Sequence, residues 1–284
     1  MKLAICNEVF RGWPVERAVA YAAELGYDGV EIAPFTLADA PAAISAARRR
    51  EIRRAAEQHG IAIAGLHWLL VKPEGLSING PDAAVRARTQ AHMRELIHLC
   101  ADLGGRVLIH GSPDQRSVPQ GGDFEEAWRR ARETFEACLP AAQERGVVYC
   151  IEPLTRQVTN FINTVAQADR LVREIDHPAF RLMVDCRSAE SDGSAVAELD
   201  AALASGRLAH VHVNDVSGRG PGFGRLAFTP VLQRLRAARY RDYVSVEVFE
   251  FDPDPQTIAG RSIGYLRGIL EALGEAPGAS PPPG

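Results

Sequence analysis

Two glutamates, an aspartate and a histidine stand at the ends of four short apolar stretches in the second half of the chain. Val147-Val148-Tyr149-Cys150-Ile151 runs into Glu152, and Pro153 stops it. Phe180-Arg181-Leu182-Met183-Val184 runs into Asp185. Leu208-Ala209-His210-Val211-His212-Val213 carries His212 near its end, and Tyr243-Val244-Ser245-Val246 runs into Glu247. A short apolar run closed by a breaker reads as a strand buried on both faces, the form strands take in a parallel sheet. Successive stretches lie roughly 30 residues apart, the length of one strand-helix unit. Side chains at successive strand ends of one sheet can converge on a divalent metal. Gathered carboxylates repel one another, and a cation is the simplest way to stabilise them.

The same form recurs upstream, in residues 3–6, 29–32, 61–66 and 107–109. Helical periodicity fills the intervals. One helix follows Pro14 through Val15, Val19, Ala22 and Leu25, and Gly26 ends it. Others are expected over 41–59, from Asp82 to Leu103, and over 123–145, 164–175, 195–204, 228–238 and 256–273. About eight strands alternating with about eight helices predict a (β/α)8 TIM barrel, one domain over residues 1–274. A doubly wound sheet is the alternative, but no Gly-rich dinucleotide turn follows the first strand. The tail 275–284, with Pro281-Pro282-Pro283, is expected to be disordered.

A barrel points the carboxyl ends of all its strands to one face. Glu31, His67, His110, Glu152, Asp185, His212 and Glu247 would then ring one mouth. His210 shares a face with His212, and the strand end favours His212. Cys186 neighbours Asp185 and so points the other way, into the core. Ligation by oxygen and nitrogen without thiolate suits Mn²⁺, Mg²⁺, Co²⁺ or Zn²⁺.

Composition excludes several classes. The 284 residues carry a formal net charge of −4, with 46% hydrophobic and 24% charged side chains. That balance gives no electrostatic footprint for nucleic acid or a membrane surface. The arginine run Arg48-Arg49-Arg50 with Arg53 and Arg54 is interleaved with Glu51 and Glu57 and reads as a solvated helix face. No apolar run reaches the length of a membrane span, and the first residues lead into a strand rather than a signal peptide. The five cysteines have no C-x-x-C spacing and read as reduced core thiols of a cytoplasmic protein. The glycine-rich loop 217–224 lacks the Gly-Lys-Ser/Thr ending of a phosphate-binding P-loop.

Several of these segments together resemble the sugar phosphate isomerase/epimerase family, the xylose-isomerase-like TIM barrels. They are Ile151-Glu152-Pro153-Leu154-Thr155-Arg156, Asn160-Phe161-Ile162-Asn163-Thr164, Val184-Asp185, His210-Val211-His212-Val213-Asn214-Asp215, Pro221-Gly222-Phe223-Gly224 and Val246-Glu247. The resemblance covers nearly the whole chain. It implies one divalent metal held by Glu152, Asp185, His212 and Glu247, and a small carbohydrate as substrate. It implies an isomerase or epimerase in which Glu152 and Glu247 act as the acid/base pair. His67, Trp68, His110, Arg156 and Arg219 are the expected substrate contacts, with Arg219 on a loop that closes over the substrate.

The chain departs from the ketose 3-epimerases of that group at three sugar-contacting places, where it has Val158, Ser188 and Gly218 beside Arg219. It also lacks ligands that the endonuclease IV branch needs for its three metals, at Ser188 and after Asn214-Asp215. The expected activity is therefore epimerisation or isomerisation of a sugar derivative. A lyase or dehydratase on a keto-sugar or dehydroshikimate-like substrate, and a non-catalytic sugar-binding module, are the alternatives. Oligomeric state is left open.

Overall fold

A computed structural model describes residues 1–274. The proline-rich tail from residue 275 onward lies outside the described residues.

The eight strands are β1 (Lys2–Cys6), β2 (Gly29–Ile32), β3 (Ala62–Leu66), β4 (Val107–His110), β5 (Val148–Ile151), β6 (Phe180–Asp185), β7 (Leu208–Val213) and β8 (Tyr243–Val246). Each pairs in parallel with its neighbour in sequence, and β8 returns to β1 through Leu3↔Val244 and Ile5↔Val246. The sheet is therefore a closed barrel, the predicted (β/α)8 fold. Closure leaves no sheet edge unpaired. Short strands suffice because every strand is covered on both faces.

The outer layer is α1 (Val15–Leu25), α2 (Ala46–Gln58), α3 (Ala83–Asp102), α4 (Phe124–Glu136), α5 (Leu139–Glu144), α6 (Val165–Ile175), α7 (Cys186–Asp192), α8 (Ala195–Ser205), α9 (Thr229–Ala237) and α10 (Pro255–Ala272). Three differences from the expected helices have local causes. The helix expected from residue 41 starts later, because residues 41–43 make only a 3₁₀ turn. Ser45 then caps α2 by accepting from the Arg48 amide at 3.1 Å. The single helix expected over 123–145 is two. Pro140 lacks an N–H, and its ring would clash with the Glu136 carbonyl, so α4 ends and α5 begins. Helix α7 was not expected at all. It begins where Asp185 Oδ1 accepts from the Ser188 amide at 2.6 Å.

Three arginines of the run on α2 are paired with carboxylates. Arg48 meets Glu16, Arg49 meets Asp102 at 2.8 Å, and Arg53 meets Glu57 at 2.8 Å. All five cysteines are buried and free. Among the described residues no helix is long and apolar enough to cross a membrane.

The main apolar core lies between sheet and helices. A second, small cluster of Val107, Ile109, Cys150 and Met183 lies apart from it. These side chains come from β4, β5 and β6 and fill the barrel interior. They settle which face of β4, β5 and β6 looks inward, and therefore which residues at the ends of these strands reach the mouth.

Candidate metal and active site

Alternation carries the inward face from the interior cluster up to the strand ends. On β5 the step from Cys150 to Glu152 stays inside, and on β6 so does the step from Met183 to Asp185. His212 lies within β7, and Glu247 follows β8 directly. Ligand atoms of Glu152, Asp185, His212 and Glu247 all lie within 4.8 Å of one another. His212 Nδ1 stands 3.2 Å from Glu247 Oε2 and 3.8 Å from Glu152 Oε1. Asn214 Nδ2 donates to Asp185 Oδ2 at 2.7 Å and to Glu247 Oε2 at 3.3 Å.

The electrostatics of this group fit a cation. Burial pushes the Glu152 carboxyl well above its ordinary range, and Glu247 and Asp185 add to the rise against His212. Burial raises the Glu247 carboxyl too, opposed by His212 and assisted by Asp185. Carboxyls crowded in this way resist ionisation on their own, whereas a divalent ion favours their charged form. Three carboxylates and one imidazole make a hard, mixed oxygen and nitrogen donor set, which suits Mn²⁺, Mg²⁺, Co²⁺ or Zn²⁺.

Beneath this layer lies a second polar layer. Glu31 is fully buried, with Oε1 3.0 Å from His212 Nε2 and Oε2 2.7 Å from His210 Nε2. Burial works against its ionisation, but the neighbouring imidazoles of His210 and His212 hold its carboxyl well below the usual range. Glu31 thus occupies the Nε2 side of His212 and leaves Nδ1 facing Glu152 and Glu247. His67 is held by Glu8 through Nε2 and lies 3.3 Å from Glu31 through Nδ1.

Above the carboxylates opens a cavity of about 180 Å³. Glu152, Asp185 and Glu247 form its floor, with His67 and Trp68 beside them. Trp68 adopts a positive φ of 52° and packs edge-on against Phe249 at 6.3 Å. Leu154, Val158 and Pro113 supply an apolar side, and Arg187 and Ser188 a polar one. Gly111 also lines it, and a Cβ there would lie 1.8 Å from Glu152 Oε2. The absence of a side chain at Gly111 is what gives Glu152 its place.

Three expected substrate contacts are elsewhere. His110 is buried but faces outward, because Ile109 before it takes the inward position. Its Nδ1 is 3.0 Å from the Tyr149 hydroxyl, and its ring packs edge-on against Phe135 of α4 at 5.1 Å. Burial, with Arg116 nearby, lowers its pKa to about 3, so it is a neutral core histidine. Arg156 is exposed and pairs with Asp192 at 3.3 Å. Arg219 is exposed, 3.9 Å from Asp252, and its loop is pinned rather than free. Asp215 accepts from the Ser217 and Leu226 amides at 2.9 and 2.7 Å, and Gly218 O accepts from Phe249 and Glu250 at 2.7 and 2.9 Å.

Other groups of this site were not foreseen. Arg187, Leu154 and Phe249 line the cavity, and Asn214 bridges two carboxylates. Arg116, fully buried on the loop after β4, donates to the Glu152 carbonyl at 2.6 Å. A signal for three of them was present. Leu154, Asn214 and Phe249 each follow a ring residue by two places, so strand alternation carried one step past the strand end puts them on the inward face, whereas Arg187 is brought to the cavity by α7.

Barrel and mouth together describe an α/β barrel with a carboxylate-imidazole centre at the carboxyl ends of its strands, where barrels of this kind carry their sites. The profile of the xylose isomerase-like TIM barrels matches residues 19–269, and the chain belongs to that family. Among its relatives is a D-psicose 3-epimerase of Ruminiclostridium cellulolyticum, 25% identical over 240 residues, covering 80% of this chain and 75% of that one. Another is a 3-dehydro-D-guloside 4-epimerase of Escherichia coli, 25% identical over 283 residues, covering 94% and 99%. The solved structure of an L-ribulose 3-epimerase superposes with a TM-score of 0.83 at 21% identity, over 99% of both chains, a likeness of fold.

Proposed function

We propose that this protein is a divalent-metal-dependent epimerase or isomerase of a sugar or sugar derivative. One observation carries the reading: four ligand atoms of Glu152, Asp185, His212 and Glu247 gather within 4.8 Å under a cavity that both glutamates border. That relatives over most of the chain are named as epimerases of psicose and of 3-dehydro-guloside supports it. A divalent ion held by the four would act as a Lewis acid, lowering the cost of removing a proton between a carbonyl and a hydroxyl.

The rest is done by the chain. Glu152 and Glu247 come from the fifth and eighth strands and approach a carbon above the floor from different sides. One carboxylate removes the carbon-bound proton, and the electron pair moves into the adjacent carbonyl. The other carboxyl returns a proton from its own side, which inverts that centre. If one group does both, the carbonyl moves instead. Trp68 and Phe249 offer an apolar wall to a sugar face.

Incubation of ketoses and 3-keto-sugars with the protein and Mn²⁺ in D₂O tests the reading. Product carrying deuterium at the carbon beside the carbonyl is expected. Glu152→Gln and Glu247→Gln should each slow turnover by about 10²-fold or more, with metal occupancy checked in the same samples. Product free of solvent deuterium would remove the acid/base roles, and loss of water from the substrate would make the enzyme a lyase.

A further inference from the structure

Arg187 is the one arginine that lines the cavity. Its Nε is buried with no hydrogen-bond partner, and among the described residues no carboxylate forms an ion pair with it. Three other arginines of this face are engaged. Arg156 meets Asp192, Arg219 approaches Asp252, and Arg116 donates to the Glu152 carbonyl. The Arg187 guanidinium instead sits over the Phe249 ring, 4.6 Å from its centroid. Stacking occupies the π face of a guanidinium and leaves its in-plane N–H donors free.

The position of Arg187 is fixed relative to the carboxylates. Its backbone amide donates to Asn214 Oδ1 at 3.0 Å, and Asn214 Nδ2 binds Asp185 and Glu247. Ser188, next in the chain, also lines the cavity. A cation partly withdrawn from water without a partner is costly, and an anion in the cavity would offset that cost. A guanidinium fork matches a carboxylate or a phosphate in two parallel hydrogen bonds.

We propose that Arg187 selects substrate charge: the sugar this cavity takes carries an anionic group, a carboxylate or a phosphate, received by Arg187 away from the reacting carbon. Only the location of the reacting carbon rests on the metal-dependent reading above. The aromatic wall of Trp68 and Phe249 then lies beside the sugar, with the anion at the Arg187 end of that wall.

Calorimetric titration of the Mn²⁺-treated protein tests this. The probes are D-glucuronate, D-galacturonate, D-glucose 6-phosphate and D-fructose 6-phosphate, each against its neutral parent sugar, with metal content measured in every sample. At least one anionic probe is expected to bind about 10-fold or more tightly than its parent, the usual worth of a charge-assisted pair. Arg187→Ala should abolish that preference with Mn²⁺ content unchanged, and Arg187→Lys should keep part of it. Whether the uronate or the phosphate series responds identifies the group. Equal binding of anionic and neutral probes in wild type, no binding of any anionic probe, or a preference that survives Arg187→Ala overturns the proposal. Wild type without bound Mn²⁺ strikes the metal reading instead, while the Arg187 comparison still decides charge selection.

Discussion

His212 is held from both sides of its ring. Glu31 sits 3.0 Å from Nε2, which leaves Nδ1 for the carboxylate layer and a cation. Outer partners of a ligating imidazole fix its orientation and basicity, and their loss commonly costs about 10- to 100-fold in metal affinity. Glu31→Gln should therefore weaken Mn²⁺ binding by about that factor while the circular dichroism spectrum stays native; unchanged affinity would deny Glu31 this role. Gly111→Ala makes a second prediction. The added methyl would meet Glu152 Oε2 at 1.8 Å and push the carboxylate aside. Misplacing a catalytic group by about 1 Å can cost about 10²-fold, so turnover should drop by that order with the melting temperature little changed. Arg156 and Arg219 predict the opposite. Both are exposed and pair with surface carboxylates, contacts worth about 1 kcal/mol or less. Alanine at either should alter kcat/KM by less than about 5-fold, and a larger loss in steady-state kinetics would return them to the site.

Elements explain which of these placements could be read in advance. The strands were legible because each is a short apolar run closed within two residues by a polar or charged residue or by Pro. The four ring residues Glu152, Asp185, His212 and Glu247 were legible because they end such runs. What a list of strand ends lacks is parity. His110 ends β4 as Ile151 ends β5, one place short of Glu152, so Ile109 has taken the inward place and Gly111 is the residue that reaches the mouth. Helix α7 was hidden because only Cys186 and Ser188 of its seven residues are buried, too few for a helical period. The break between α4 and α5 was visible in Pro140, but the amphipathic pattern runs on through it. The glycine-rich loop reads as mobile by composition, yet Asp215 clasps it by two amides and Gly224 leaves room for that carboxylate. Asp215→Ala should cost about 2 kcal/mol, the worth of buried hydrogen bonds to a charged acceptor, read by urea denaturation. An unchanged midpoint would mean that the loop is held by other contacts.

For the whole molecule, the metal and the fold are linked. A ligand that binds only the folded barrel stabilises it by about 2.7 kcal/mol at a hundredfold excess over Kd, so Mn²⁺ should raise the melting temperature by several degrees. The pH dependence has a definite sign. Glu152 and Glu247 have folded pKa values above their unfolded ones, so the metal-free native state holds protons that the unfolded chain has lost. Their contribution to metal-free stability is full below about pH 4.5 and declines as pH rises through the folded values. Metal binding expels those protons and strengthens over the same range. The difference in melting temperature between Mn²⁺-saturated and chelator-treated protein should widen from pH 5 to pH 8, and a difference that narrows would contradict this electrostatic account.

The central claim is that Glu152, Asp185, His212 and Glu247 form one metal-binding catalytic centre. Titration of chelator-treated protein with Mn²⁺, wild type beside Asp185→Asn, tests it most directly. Asparagine keeps the shape of Asp185 and removes its charge, so the fold remains while the donor set weakens. About one Mn²⁺ per wild-type chain, with most of that binding lost in the variant, is the predicted result. Equal binding by the two proteins, or none by wild type, would contradict it.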